Sequence, residues 1–469
     1  MSKDEIIAQQ TKQIAELRAS LQAALRKIAD LEARLAQNSS NSSRPPSSDG
    51  VNKQPAFPRS TGKQRGGQQG HRGDTLKMVA RVDEEVLHPV TDVCSCGSQL
   101  SEVAGQVSAR RQVFDLPPQA LVVTEHQVEG KVCSNCGQVH QGSFPEVVSA
   151  PVQYGGRVKA LVSLLSVGHN MPVGGIKSLF ADLFGYALNE ATIQGANTLY
   201  YEQLSEEEAI IKDELQQEKL IDADESGIRT EGKLHWLHVA SSALFTYFYR
   251  HCKRGRQALE DPMSVLSTFG GWVVHDCWQS YFTGGKYQHA LCGAHLLREL
   301  TALIEQGSKW ATRMHDLMMT TYLDCEKGKS SLSPEALQTT IRKYQAILSQ
   351  ADKEEPPPEP RPRAHTRPGR DKQSKGRNLM NRLAKHQTAV LAFAQYEEVP
   401  FTNNLAERDI RPWKTKLKVS GSFRTTIGAD HYARIRGFIS TARKQQKQVF
   451  AELYRVLNGE SFLRDLKAT

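Results

Sequence analysis

Apolar residues recur in heptads over residues 4–37, with Ile7, Ile14, Leu21, Ile28 and Leu35 on one seam and Gln10, Leu17, Ala24 and Leu31 on the other. This repeat predicts a coiled coil over residues 1–37, joining the chain to a second copy, with an amphipathic helix packed on its own protein as the alternative. The periodicity then stops. Residues 38–75 run through NSSNSSRPPSSDG and GKQRGGQQGHRG, too poor in apolar side chains to fold, and are read as a disordered basic linker. Its Arg59, Lys63, Arg65, His71 and Arg72 can lie along phosphates or simply be solvated.

Residues 76–150 carry short strand-like runs, among them residues 120–124 and the pair Lys131 and Val132, and predict a small β unit. Over residues 151–217 the period becomes helical, with Val158, Leu161, Val162 and Leu165, then Ile176, Leu179, Phe180 and Leu183, and with Gly185 between helices. After Glu218 it becomes that of strands: KLIDAD, KLHWLHVASS, LFTYFYRH and, beyond a helix near residues 257–266, GGWVVHDCW. Three neighbouring strands, a helix and a fourth strand predict a mixed α/β sheet. Helices resume at Ala294, and a helical insertion over residues 303–400 contains EEPPPEPRPRAHTRPGRDKQSKGR. That stretch reads as a mobile loop whose Arg361, Arg363, Arg367, Arg370, Lys372, Lys375 and Arg377 are candidates for DNA contact. The fold class is therefore multidomain and mainly α/β, and 469 residues exceed what one core serves.

Composition adds little to this until the cysteines are considered. Lys and Arg total 60 against 51 Asp and Glu, a net charge of +9 that suits a polyanionic partner. No run is apolar enough for a membrane span and no secretion signal opens the chain, so a cytoplasmic protein is expected. Four of the eight cysteines form two tight pairs, Cys94 with Cys96 and Cys133 with Cys136. Two such knuckles on facing hairpins predict a closed tetrahedral thiolate site for a structural Zn²⁺, with Gly97 and Gly137 letting the chain turn around the ion. His140 is an alternative fourth ligand.

Asp224 follows an apolar strand in LIDADESG, where alternation puts Asp222 and Asp224 on one face. Asp276 closes the apolar run GGWVVHD, and Glu407 lies in NNLAERDIRPWK, a helical segment that starts with polar residues. Carboxylates at the edge of an α/β sheet suit hard divalent cations. Phosphoryl chemistry on DNA uses two such ions, Mg²⁺ or Mn²⁺, roughly 3.5–4 Å apart, to stabilise the attacking and leaving oxygens. On spacing alone Asp222 and Glu225 compete with Asp224, and an aspartate at a strand end is ordinarily a helix cap or a turn residue.

Several separate motifs resemble the transposases of the insertion-sequence-66 group, and the likeness runs through essentially the whole chain. SSNSSRPPSSDG with RGGQQGHRG is similar to that family's linker, and CSCGSQL with VCSNCG to its zinc-binding unit. ADESGIRTEGKLHWLHV, HDCWQSYF, ALCGAHLLREL and NNLAERDIRPWK with FRTTIGADHYARI look like its catalytic domain. One departure is the C-x-C of the first knuckle, where the family usually has C-x-x-C. The resemblance implies an RNase H-like catalytic domain over residues 218–469, with Asp224, Asp276 and Glu407 as its three metal-holding acids. It also implies a helical DNA-binding segment over residues 151–217, binding to terminal inverted repeats, strand hydrolysis at the element's end, and attack of the freed 3′-hydroxyl on target DNA. Small accessory proteins join the expected partners.

Around these acids, Arg298, Arg408, Arg411, Lys414, Lys416 and Lys418 are candidate phosphate contacts. Asn403 and Asn404 are expected to cap the glutamate's helix. The C-x-x-H of Cys292 and His295 reads as packing or as support for a ligand rather than as a metal site. Trp413 and Trp236 are candidates to stack on bases, with a core position expected for Trp236. Two other readings remain: a catalytically inactive DNA-binding regulator derived from a transposase, and a nuclease that never joins ends.

Overall fold

The computed structural model describes residues 3–38, 41–42, 76–90, 93–101, 103–117, 119–357 and 373–467. The linker's basic residues and Arg361 to Lys372 of the insertion loop lie outside the described residues. Helix α1 (Lys3–Leu35) leaves its heptad side chains exposed, Ile7, Ile14, Leu21, Ile28 and Leu35 among them. The small β unit is a hairpin of β1 (Gly130–Val132) and β2 (Val139–Gln141). The strand expected over residues 120–124 does not form. Val122 and Val123 are exposed there, and an extended segment without a ladder partner is not a strand.

Helices follow: α2 (Gly156–Ser163), α3 (Val173–Phe184), α4 (Glu190–Gln203) and α5 (Ser205–Gln217). Gly185, at φ 73°, ends α3 in the left-handed conformation that glycine takes without strain, and the Asn189 side chain caps α4. The sheet then opens with β3 (Leu220–Thr230), β4 (Lys233–Ser241) and β5 (Thr246–His251). Glu231 and Gly232 both have positive φ, the two-residue turn whose twist matches an antiparallel hairpin. A short α6 (Arg256–Leu259) leads to β6 (Trp272–His275) and β7 (Gln288–Leu291).

Five strands lie in the order β5-β4-β3-β6-β7, antiparallel among the first three and parallel from β3 through β6 to β7. The register ends early between β3 and β6: Leu220, Ile221 and Asp222 pair with Trp272, Val273 and Val274, and β3 continues without β6. These two central strands therefore diverge just two residues before Asp224 and Asp276. Such a divergence is where open α/β sheets place ligands.

Helices α7 (Gly293–Ile304), α8 (Lys309–Gly328), α9 (Pro334–Glu354), α10 (Lys375–Lys385), α11 (Gln387–Val390) and α12 (Ala392–Gln395) come next. They bury Leu296, Leu300, Trp310, Met314, Tyr344 and Leu383 in one cluster with Val274, Ala290 and Leu291 of β6 and β7. The chain returns to the sheet with α13 (Asn404–Ser420), α14 (Thr426–Lys444), α15 (Val449–Val456) and α16 (Phe462–Lys467). These pack in a second cluster with β3, β4 and β5, and Tyr200 of α4, Leu204 at the junction, and Ile210 and Leu215 of α5 belong to that same core.

Candidate active site

Asp224 sits mid-strand on β3, opposite Val239 of β4, and Asp276 is the first residue after β6. Both side chains are half-buried. Burial, and then the charges of Glu225 and Asp276, push the Asp224 carboxyl up to about 8. Its Oδ1 accepts a hydrogen bond from the Glu225 backbone N–H at 2.9 Å. Among the described residues it forms no ion pair with a basic group within 4 Å.

Its two competitors are engaged elsewhere. Asp222 Oδ2 accepts from the Leu405 N–H at 3.0 Å and so caps α13, the role sequence expectation gave to Asn403 and Asn404. Asn403 makes no side-chain cap; its Nδ2 donates instead to the Ala223 carbonyl at 2.8 Å, stapling the helix start to β3. Glu225 accepts two bonds from Arg254, at 2.8 and 2.6 Å, and one from the Tyr281 hydroxyl at 2.6 Å. Asp222 and Glu225 thus hold the frame, and Asp224 is left open.

Glu407, in the first turn of α13, is brought to this place by those two ties. Its Oε1 lies 3.5 Å from His295 Nδ1 and its Oε2 3.9 Å from Arg298. His295, on α7, is also near enough to Asp276 for that charge to act on it. The oxygens of Asp224, Asp276 and Glu407 do not form a ligand group within 4.8 Å. A pair of ions roughly 3.5–4 Å apart spreads its outer ligands further than one ion does.

Two residues on, Asp409 Oδ2 accepts from Ser241 Oγ at 2.7 Å, Thr246 Oγ1 at 2.8 Å and Lys444 Nζ at 2.7 Å, locking α13 to β4, β5 and α14. Asp409→Ala removes the carboxylate partner of the largely buried Lys444 ammonium and leaves it only the Ser242 and Phe245 carbonyls, and a loss of about 3 kcal/mol is expected in denaturant unfolding. An unchanged midpoint would contradict this clamp.

Arg411, Lys414 and Lys418 are exposed at helical spacing from Glu407, forming one stripe, and Lys414 is close enough for its charge to act on Asp224. Arg408 is exposed as well. Lys416 leaves the stripe: it is half-buried, and desolvation lowers its pKa. Arg377 donates to Asp352 and to the Glu355 carbonyl, so it is already occupied. The tryptophans reverse the expectation. Trp413 is fully buried against Phe248, Phe423 and Tyr432, whereas half-exposed Trp236 stacks on Arg254, which also lies 4.0 Å over Trp278. The stripe Ala406, Ile410 and Trp413 was the signal for a core tryptophan.

Burial also raises Asp222, to about 7. An unfolded aspartate ionises near 3.8, so folding takes up protons between about pH 4 and 8. The stability that these groups contribute below pH 4 is therefore lost as pH rises through that window. In chelator the melting temperature is expected to fall from pH 5 to pH 8, and Mg²⁺ at pH 8 should restore part of it. A rise with pH would contradict the crowding of these carboxylates.

In the small β unit each cysteine pair forms a knuckle. Cys94 N–H donates to the Ser98 carbonyl and Gly97 N–H to that of Cys94; Cys133 N–H donates to the Gln138 carbonyl and Gly137 N–H to that of Cys133, all at 2.8 Å. Gly97 and Gly137 have φ of 90° and 71°. The C-x-C pair closes its turn one residue sooner, which is how it dispenses with the usual second spacer. Hydrogen bonding to Ser98 lowers Cys96 to about 7, and backbone N–H groups of Cys136 and Asn135 lower Cys133, the environment a thiolate ligand needs. Among the described residues, no three of these four sulfurs lie within 4.8 Å of one another.

Among the described residues no helix is long and apolar enough to cross a membrane. No curated protein matches the chain. A family of unknown function matches residues 2–77. The zinc-finger binding domain of transposase IS66 matches residues 91–137, a span that includes both cysteine knuckles. The Transposase IS66 family itself matches residues 151–431, from the helices before the sheet through Asp224, Asp276 and Glu407 into α14. The match covers more than half of the chain, which belongs to the Transposase IS66 family.

Proposed function

We propose that this chain is an active DNA transposase of the DDE type, with Asp224, Asp276 and Glu407 as the acids that hold two Mg²⁺ or Mn²⁺ ions. The observation that carries the reading is the placement of two half-buried carboxylates just past the point where β3 and β6 stop pairing, Asp224 within β3 and Asp276 directly after β6, with the helix that bears Glu407 stapled to β3. A five-stranded sheet ordered β5-β4-β3-β6-β7, with its acids on that sheet's first strand in chain order, directly after its fourth and on a helix after an insertion, supports an RNase H-like domain.

The donor set fits hard divalent cations: oxygens only, crowded enough that burial and neighbouring charge hold Asp224 partly protonated without them. Such ions, when bound, activate the attacking oxygen and stabilise the leaving one. The chain's own residues do the rest. Asp222 and Asn403 fix the start of α13, Asp409 fixes its second turn, and Arg298 turns the Glu407 carboxylate by its charge. Lys414, Arg411, Arg408 and Lys418 line a cationic approach for the DNA backbone. Strand hydrolysis at the element's end frees a 3′-hydroxyl, which then attacks a phosphodiester of the target.

The zinc unit, with Cys94, Cys96, Cys133 and Cys136 as ligands, is a structural module, and the helices of residues 151–217 bind the terminal inverted repeats. The exposed seam of α1 pairs with that of a second copy as a coiled coil, giving a homo-oligomer. The test uses purified protein, Mg²⁺ and a duplex carrying the element's own ends. Release of 3′-hydroxyl ends and their joining to a second duplex is expected. Cleavage without joining would indicate a nuclease, and binding without cleavage a regulator; either overturns the reading.

A further inference from the structure

The C-x-x-H pair has a third neighbour that sequence does not reveal. Cys292 immediately precedes α7, His295 lies in its first turn, and Glu407 comes from the first turn of α13. One ligand atom from each lies within 4.8 Å of the other two. His295 Nδ1 and Glu407 Oε1 face each other at 3.5 Å, and both are buried without a hydrogen-bond partner. Two buried polar atoms left so are costly unless a cation or proton stands between them.

The chemistry of the set is distinctive. A thiolate, an imidazole and a carboxylate suit Zn²⁺ and similar borderline cations, whereas Mg²⁺ takes oxygen ligands. Bonds of about 2.0–2.3 Å put tetrahedral zinc ligands roughly 3.3–3.8 Å apart, so shifts on the order of 1 Å would close the site. The thiol of Cys292 is buried and accepts the Asn403 backbone N–H at 3.3 Å, the outer support that a metal-bound thiolate takes. The frame is tight as well: Gly293 N–H donates to the Phe401 carbonyl at 2.8 Å, and a Cβ at Gly293 would lie 2.2 Å from the Phe401 ring.

We propose that Cys292, His295 and Glu407 form a second, exchangeable Zn²⁺ site, separate from the four-cysteine unit, with its fourth position open to water. Occupancy engages Glu407 and withholds it from the Mg²⁺ pair, so zinc restrains cleavage. That consequence rests on the transposase reading; the binding does not.

The full-length protein is dialysed against micromolar Zn²⁺ and its metal content measured. Wild type is expected to hold one more zinc per chain than Cys292→Ser, His295→Gln or Glu407→Gln. Co²⁺ in place of zinc should give a thiolate charge-transfer band that Cys292→Ser reduces. Far-ultraviolet circular dichroism and retention of the four-cysteine zinc report that each variant is folded. Should Cys292→Ser fail to fold, Glu407→Gln carries the comparison, since that side chain is partly exposed. Equal zinc in wild type and the folded variants overturns the site.

In Mg²⁺, added zinc should slow wild-type cleavage at least roughly tenfold relative to the zinc-free rate, and His295→Gln much less relative to its own. Zinc bound at this site with cleavage unslowed overturns the restraint alone. Absence of any Mg²⁺-dependent cleavage overturns the transposase reading, while the dialysis still decides the site.

Discussion

Asp224→Asn is expected to abolish strand cleavage and joining, by on the order of 10³-fold or more, while binding to the element ends stays within about a factor of two. Metal-held charge is worth several kcal/mol in such a reaction, and each factor of ten corresponds to about 1.4 kcal/mol. In the proposed reading, docking on DNA rests on other groups, the exposed Arg411, Lys414 and Lys418 stripe and the helices before the sheet. The same substitution removes one negative charge from a crowded cluster, since Glu225 and Asp276 both act on Asp224. Metal-free Asp224→Asn protein should therefore melt no lower than wild type at pH 8. Single-turnover cleavage, a binding titration and a melting curve together separate loss of chemistry from loss of fold. A variant that cleaved at the wild-type rate would remove Asp224 from the mechanism.

Cys133→Ser combined with Cys136→Ser is expected to lose the one zinc ion per chain that remains after exhaustive dialysis, and with it the order of residues 91–137. Structural zinc sites have apparent binding free energies of about 10–16 kcal/mol, and modules built on them unfold without metal. Here little else holds the unit: β1 and β2 are three residues each, and Val103, Val107, Val113, Leu116, Val122 and Val132 are all exposed. Metal analysis and limited proteolysis read the result. Tightly held zinc surviving the double substitution would show that the ligands lie elsewhere.

Much of this architecture was legible because period and burial coincide. Alternation in KLIDAD marked β3, the apolar run GGWVVHD marked β6, and helical spacing from Val158 to Leu183 marked α2 and α3. What escaped had a tertiary cause. Strand β7 is four residues long and half-exposed at its start, so its signal is weaker than that of the helix it introduces. The capping of α13 by Asp222 depends on a bond between residues 183 positions apart, which no local motif encodes. Trp236 looked like core because tryptophan usually is, yet its strand neighbour Leu237 takes the buried face and leaves Trp236 to Arg254. The third partner of Cys292 and His295 was hidden for the same reason: Glu407 reaches them only after the chain has passed through α8 to α12.

Whether three acids distant in sequence share a pair of cations is decided by anomalous scattering from Mn²⁺ in crystals of the end-bound complex. Two peaks roughly 3.5–4 Å apart are expected, with Asp224 in contact with both and Asp276 and Glu407 each holding one. Peaks liganded by Asp222 or Glu225 instead, or a Glu407 beyond reach of either ion in the DNA-bound state, would contradict that sharing.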